Sequence, residues 1–257
     1  MLINLYQYNL IIWIWLGIAL ITFISLMFVR APYGRYERPG WGFRLPSRIG
    51  WMIMESPAII IMTIFFGTVV FQKGTFDLIP IIFYCMWMLH YLNRTLVWPM
   101  RAYISNKKMP LSIVLFAIIF NSINSWINSE WIFGLNYQND NEWLLSPQFI
   151  SGLIIFFIGM GINMQSDNIL FLLRKNSNTD YKIPQDGLFK WVSSPNYLGE
   201  ILEWLGWALA TWSLAGLSFA VWAIANLAPR AHSNHFWYKE KFLDYPKNRK
   251  ILIPKIW

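Results

Sequence analysis

Cysteine and charge are what this chain has least of. Cys85 is the single cysteine in 257 residues, which excludes an intramolecular disulfide framework and any multi-cysteine metal centre. Charged residues make up 13% of the chain and hydrophobic ones 56%, against about a quarter charged in an ordinary soluble domain. The shortage runs the whole length, so the chain is not a soluble domain carried on one anchor. There is no GxGxxG turn after a strand, no Walker loop and no GxSxG, and with them go the soluble nucleotide-binding modules. His232 and His235 stand three apart, but no third ligand has suitable spacing, so no metal site is expected. No internal repeat and no low-complexity segment is present.

What the chain does have is long apolar runs. They recur at roughly 9–29, 49–71, 77–98, 110–127 and 147–165, each about long enough to cross ~30 Å of hydrocarbon as a helix. A further run, 198–228, is too long for one crossing and contains a Ser213–Leu–Ala–Gly216 break, which predicts two helices joined by a tight turn. The first run has no basic segment before it and no small-residue cleavage site after it, so it is expected to be a retained helix and not a removed signal. The expectation is an all-α integral membrane protein of seven transmembrane helices, forming one domain over 1–257.

The net charge of +8 tests that count. Basic residues cluster at 30–48 (Arg30, Arg35, Arg38, Arg44, Arg48), at 94–108, at 174–190 and in the tail after 229, all on one side of a seven-helix arrangement. Of the 21 lysines and arginines, only Lys73 falls in an opposite-side loop, whereas the loop at 128–146 offers Glu130, Asp140 and Glu142. By the positive-inside rule the N terminus is outside and the C terminus cytoplasmic. The basic charge is thus a topology signal, and no nucleic-acid partner is expected.

Some polar residues sit where hydrocarbon makes them costly. Glu55 lies inside the second run, in WMIMESPAII, and ionisable groups at membrane depth usually line a cavity or pathway. His90, Tyr91 and Arg94 in LHYLNRTLVWP have the spacing of one helical face. With Glu55 on an adjacent helix at similar depth, they outline a polar pocket. Arg94 could also snorkel and Tyr91 sit in an aromatic belt. Glu200 and Glu203 open the sixth span, where a helix N-terminus favours carboxylates. Segment 166–197 and the tail RAHSNHFWYKEKF hold further groups suited to a polar ligand.

The string GMGINMQSDNILFLLRK, then YKIPQDGLFKWVSSPNYLGEILEWLGWALATWS, and finally DYPKNRKILIPKIW, strongly resembles the steroid 5α-reductase (3-oxo-5α-steroid 4-dehydrogenase) family. Glu55 in its MESP context and LHYLNRTLVWP sharpen the likeness to the steroid reductases themselves. The resemblance implies NADPH-dependent reduction of the Δ4 double bond of a 3-oxo-steroid. It implies that Glu55 and Tyr91 are the catalytic pair binding the steroid carbonyl oxygen, with Trp51 lining the same pocket. It assigns to NADPH contacts Tyr33, Arg35, Arg94, Asn163, Asp167, Arg174, Tyr181, Lys182, Asn196, Glu200, Arg230, Asn234, His235 and Tyr238. Asn234 departs from the family pattern, which commonly has histidine there.

The residue types suit that chemistry. Reducing the β-carbon of an enone pushes electron density onto the carbonyl oxygen, and a donor aimed at that oxygen stabilises the developing enolate. A tyrosine hydroxyl is such a donor, and so is a carboxyl that keeps its proton. Arg94, Arg174, Lys182 and Arg230 can supply the cations that a 2′-phosphate demands. The partners expected are a steroid-like lipid and the bilayer, with no obligate protein partner. The host membrane would be the endoplasmic reticulum in a eukaryote or the inner membrane in a bacterium, with the cofactor site facing the cytoplasm. Beside this reading stand a reductase of a polyprenol or other lipid enone, an S-adenosylmethionine-dependent isoprenylcysteine methyltransferase and a non-catalytic lipid-binding protein.

Overall fold

The computed structural model describes residues 4–73, 78–104, 107–135, 141–175 and 181–257. Asp140, in the loop expected outside, and the start of the third predicted span at 77 lie outside the described residues. Among the described residues the fold is a set of helices with one short antiparallel ladder. Helix α1 is Leu5–Phe28, α2 Ser47–Lys73, α3 Leu78–Leu92, α4 Trp98–Arg101, α5 Leu111–Glu130, α6 Pro147–Lys175, α7 Pro195–Thr211 and α8 Leu214–Lys241. Strands β1 (Arg44–Pro46) and β2 (Lys108–Pro110) pair with Leu45 opposite Met109.

Among the described residues, five helical stretches are long and apolar enough to cross a bilayer: Leu5–Phe28, Ser47–Phe71, Leu111–Leu135, Pro147–Lys175 and Leu214–Lys241. The protein is therefore an all-α, multi-pass membrane protein. Helix α1 leaves Leu10, Trp13, Ile14, Ile18 and Ile21 exposed, as hydrocarbon permits and water would not. Helix α7 has 17 residues, roughly 26 Å at 1.5 Å per residue, which is why it falls short of spanning length by itself.

Several boundaries differ from the sequence expectation. Helix α6 does not stop near 165 but runs to Lys175, because no proline or glycine interrupts 162–175. Asn163, Asp167 and Arg174 therefore share one rigid helix. Helix α8 likewise runs past 229 to Lys241 with Pro229 inside it, so Arg230, Asn234, His235 and Tyr238 are helical and not part of an irregular tail. The reversal between α7 and α8 comes earlier than Gly216. It is made at Trp212, whose φ of 43° is left-handed, and is fixed by Ser213, whose Oγ accepts the Gly216 N–H at 2.9 Å as an N-cap.

The chain forms two compact units: Met1–Ile12 with Ala31–Ser146, and Trp13–Arg30 with Pro147–Trp257. In the first, the β1–β2 ladder is continued by Ser47 N–H to Lys107 C=O and Leu111 N–H to Phe43 C=O, each 2.8 Å. Helices α2 and α5 leave that ladder side by side and run in the same direction. Asn121 reaches Met54 and, two turns on, Ser129 reaches Met62. Pro57 inside α2 cannot donate to the Ile53 carbonyl. The Ser56 hydroxyl donates to it instead, at 2.9 Å, so no bare carbonyl is left in hydrocarbon. Between α3 and α4 the helix widens into a π turn, Asn93–Val97, in which Trp98 N–H reaches back to Asn93 C=O. Pro99 follows and has no N–H for the Thr95 carbonyl, and the wider turn makes room for its ring.

In the second unit α6 and α7 touch backbone to backbone. Gly152 and Gly159 on α6 face Gly206 and Gly199 on α7. A Cβ on Gly152 would lie 2.7 Å from Gly206 C=O, and one on Gly199 would lie 2.6 Å from Gly159 C=O. Glycine is required because any side chain would enter the partner's main chain, the small-residue contact by which membrane helices approach closely. We expect Gly159→Ala to lower stability by about 1–3 kcal/mol through overpacking. Gly161→Ala, where an added Cβ meets nothing within 4 Å, should match the parent. Melting temperatures in detergent check this; equal values for the two variants would refute the close contact.

Candidate active site

The polar residues expected to act together are brought into two groups, one in each unit. In the first unit Trp51 and Glu55 lie one turn apart on α2, and Tyr91 is near the end of α3. Tyr91 is buried, at 3% exposure, with its ring 4.8 Å from Trp87 and 5.0 Å from His90. The Trp87 indole N–H is anchored on Ala58 C=O at 3.0 Å, which ties α3 to α2 one turn beyond Glu55. Trp51 stacks on Trp98 at 4.4 Å, and the Arg94 guanidinium lies 5.0 Å from the first ring and 5.2 Å from the second. Arg94 belongs to the π turn, so the same backbone irregularity carries the cation onto the aromatic pair. The Trp51 indole N–H is buried with no hydrogen-bond partner among the described residues, a donor suited to a polar ligand atom. Tyr33 and Trp51 both pack against the Met54–Met109–Val114 cluster, and Arg35 follows on the 3-10 turn Gly34–Tyr36.

One member of this group was not anticipated. Asn121, on α5 and 4% exposed, donates to Met54 C=O at 2.7 Å and to Glu55 Oε2 at 3.2 Å. The sequence does carry a signal for it. FNSINSWINSE repeats Asn-Ser three times inside an apolar run, and Asn121, Asn124, Ser125, Asn128 and Ser129 are all buried.

In the second unit the glycine contact brings the polar ends of α6 and α7 together. Asn163 donates to Asn196 C=O at 3.0 Å and reaches Glu200 Oε2 at 3.5 Å, while Asn196 donates to Asp167 Oδ1 at 3.4 Å. Four residues expected at the cofactor thus form one network. The Arg174 guanidinium lies 5.5 Å from the Tyr181 ring, whose edge meets Trp237 at 5.0 Å. Lys182 is exposed and Arg230 half-buried.

On α8, Asn234 donates to Ser194 Oγ at 3.4 Å, and His235 joins a buried hub that sequence reasoning missed. Ser193 Oγ lies 2.6 Å from His235 Nδ1, 2.6 Å from the Tyr245 hydroxyl and 3.0 Å from Lys250 C=O. A serine hydroxyl has one hydrogen, and a carbonyl can only accept, so that hydrogen goes to Lys250. Tyr245 O–H and His235 Nδ1–H must then both donate to Ser193. Burial pushes the Tyr245 phenol above its ordinary pKa, which keeps it a donor. A neutral His235 is consequently held with its Nε2 lone pair outward from the hub. Tyr238 stacks on Tyr245 at 5.5 Å. The hub is closed by the C-terminal segment, where Val192 bridges Lys250 in parallel. Arg249 is buried, at 3% exposure, and places one N–H on Gln185 at 3.2 Å. Its Nε and Nη1 have no hydrogen-bond partner among the described residues.

Residues 107–257 match the family described as 3-oxo-5-alpha-steroid 4-dehydrogenase. A steroid 5-alpha-reductase of Solanum lycopersicum is 45% identical over 254 residues, covering 96% of each chain. One of Gossypium hirsutum is 42% identical over 247 residues, 93% of each. A 3-oxo-5-alpha-steroid 4-dehydrogenase 1 of Bos taurus is 39% identical over 239 residues, 93% of this chain and 92% of its own. The chain belongs to the 3-oxo-5-alpha-steroid 4-dehydrogenase family. This steroid dehydrogenase is accordingly an oxidoreductase, and the resemblance carried by MESP, LHYLNRTLVWP and the C-terminal block holds along nearly the whole chain.

The hub of this steroid dehydrogenase predicts non-additivity. Ser193→Ala removes the partner shared by His235 and Tyr245, while the Lys250 carbonyl keeps the Ser193 N–H at 2.9 Å, and should cost about 1–3 kcal/mol. Adding Tyr245→Phe to Ser193→Ala should cost less than Tyr245→Phe alone, because the phenol has already lost its acceptor. Thermal melting of the four proteins checks this, and strictly additive losses would refute the shared hydroxyl.

Proposed function

We propose that this protein reduces the Δ4 carbon–carbon double bond of 3-oxo-steroids to the 5α-reduced 3-ketones, using NADPH, with Glu55 and Tyr91 as the groups that bind and polarise the carbonyl oxygen. The observation that carries the assignment of residues is the hydrogen bond from Asn121 to Glu55 between two spanning helices, with Tyr91 buried on α3, the helix that Trp87 ties to α2 one turn beyond Glu55. Such groups are costly in hydrocarbon and mark a site.

The residues of the second unit fit an anionic dinucleotide. Arg249 lies over the Tyr245 ring at 5.0 Å and has two buried guanidinium nitrogens with no hydrogen-bond partner among the described residues, and a buried cation is costly without an anion to face. Arg174, Lys182 and Arg230 add positive charge, and Asn163, Asp167, Asn196, Glu200, Asn234, His235 and Tyr238 add hydrogen-bonding groups. In the first unit Tyr33, Arg35 and Arg94 are assigned to the same cofactor. When bound, NADPH supplies a hydride. As the β-carbon of the enone is reduced, negative charge grows on the carbonyl oxygen. The Tyr91 hydroxyl and a protonated Glu55 donate to that oxygen, and apolar surroundings strengthen both bonds. The Trp51 ring packs on the steroid.

Seven transmembrane helices complete this reading. Residues 78–101, continuous through the π turn, and α7 add two crossings to the five of full length. The N terminus then lies outside and the basic loops face the cytoplasm, where NADPH is found. The chain works as one reductase domain, with a steroid and the bilayer as its partners. Its membrane is the endoplasmic reticulum in a eukaryote or the inner membrane in a bacterium.

The deciding experiment is turnover of a 3-oxo-Δ4-steroid by the purified protein, with NADPH and NADH compared. We expect the saturated 3-ketone to form faster with NADPH. No conversion with either would refute the steroid assignment. Tyr91→Phe should leave NADPH binding intact and slow the chemical step at least tenfold, about 1.4 kcal/mol of transition-state stabilisation. Near-normal turnover would remove Tyr91 from the mechanism. Glu55→Gln should retain more activity than Glu55→Leu, since an amide still donates. The opposite order would mean that Glu55 acts through its charge.

A further inference from the structure

We infer that Asn121 is a positioning residue that decides which oxygen of Glu55 carries the proton. The inference rests on the reading above, in which Glu55 donates to the substrate carbonyl.

Asn121 is almost wholly buried on α5, and its side-chain nitrogen makes two contacts: 2.7 Å to Met54 C=O and 3.2 Å to Glu55 Oε2. The first contact settles the orientation of the carboxamide. A backbone carbonyl only accepts, so the atom facing it must be the NH2 group and not the oxygen. That NH2 has two hydrogens. One is held by Met54 C=O, a fixed main-chain atom of α2, and the second is left for Oε2 of the very next residue. Asn121 is therefore anchored on the backbone of α2 and presents a donor to one oxygen of the adjacent carboxyl.

A carboxyl that keeps its proton has one carbonyl oxygen and one hydroxyl oxygen, and the carbonyl oxygen is the better acceptor. With Asn121 donating to Oε2, the stable arrangement has the carbonyl at Oε2 and the O–H at Oε1. The donor of Glu55 is thereby assigned to the oxygen remote from Asn121. The contact favours that orientation of the carboxyl, and losing it lowers the share of molecules that present a donor where the substrate oxygen needs one. The same geometry governs an amide at position 55. In Glu55→Gln, Asn121 would take the amide oxygen and leave the NH2 group on the far side, so the variant is oriented as a donor by its neighbour.

Asn121 could instead serve only to fasten α5 to α2, as buried asparagines do between membrane helices. The two roles separate in a double-mutant design read by steroid turnover under saturating NADPH. We expect Asn121→Leu to lower kcat about tenfold in the parent and by a similar factor in Glu55→Gln. In Glu55→Leu, where there is no donor left to orient, it should change kcat less than twofold. A fastening role predicts the same loss in all three backgrounds, and that result would overturn the inference. Asn121→Ala, with a melting curve for each protein, repeats the comparison if the leucine variant does not fold. If the parent fails to reduce the steroid, or Glu55→Leu is as active as the parent, the reading of Glu55 falls and this inference with it. If both hold and the losses are equal across backgrounds, only the role of Asn121 falls.

Discussion

A backbone amide or carbonyl inside hydrocarbon has no water to bond, so each must find its partner within the protein. Much of this fold follows from that requirement. Where Pro57 withholds an N–H, Ser56 covers the Ile53 carbonyl. Where Pro99 does the same, the helix widens into a π turn and bonds from Trp98 to Asn93. Both repairs lie within a turn or two of the residues proposed for the carbonyl site, Glu55 beside the first and Tyr91 just before the second. Departures from regular helix are costly in a membrane, and these two sit next to side chains proposed for the chemistry.

The second unit meets the requirement differently. With glycines at the contact, α6 and α7 come close enough for main chain to meet main chain, so that van der Waals contact replaces the side chains that would otherwise fill the space. The polar network of Asn163, Asp167, Asn196 and Glu200 lies at the end of that contact. Asn163 follows Gly159 by about one turn, and Glu200 follows Gly199 directly. The reach of one short asparagine across two helices is possible only because no Cβ holds them apart. Stability of the helix pair and alignment of the network are thus two results of the same four glycines.

The helical, multi-pass character was legible in the sequence because it is written in composition and run length. The catalytic candidates were legible because an ionisable group in an apolar run is conspicuous, as at Glu55. Three things were not. The ends of α6 and α8 were missed because hydropathy reports where hydrocarbon ends, not where a helix ends: nothing in 166–175 stops α6, and α8 runs on through Pro229. The α6–α7 contact was missed because four glycines at seven-residue spacing were scattered among many others, with no way to know that they face one another. The Ser193 hub was missed because its members, 193, 235, 245 and 250, are distant in sequence and individually ordinary. Asn121 is an intermediate case: the Asn-Ser repeats were visible, but their partner on α2 was not.

The π turn at 93–97 also bears on how such a chain can change over generations. A π turn is what one inserted residue leaves in an α-helix, and losing one residue there would restore ordinary helix. Because the wide turn takes up that residue, Tyr91 and Trp98 would keep their facing on such a loss, whereas any further change in length would rotate one against the other by about 100°. Substitutions within NRTLV act on what its own side chains touch, Arg94 on the Trp51–Trp98 pair among them, whereas such a change in length re-aims Tyr91.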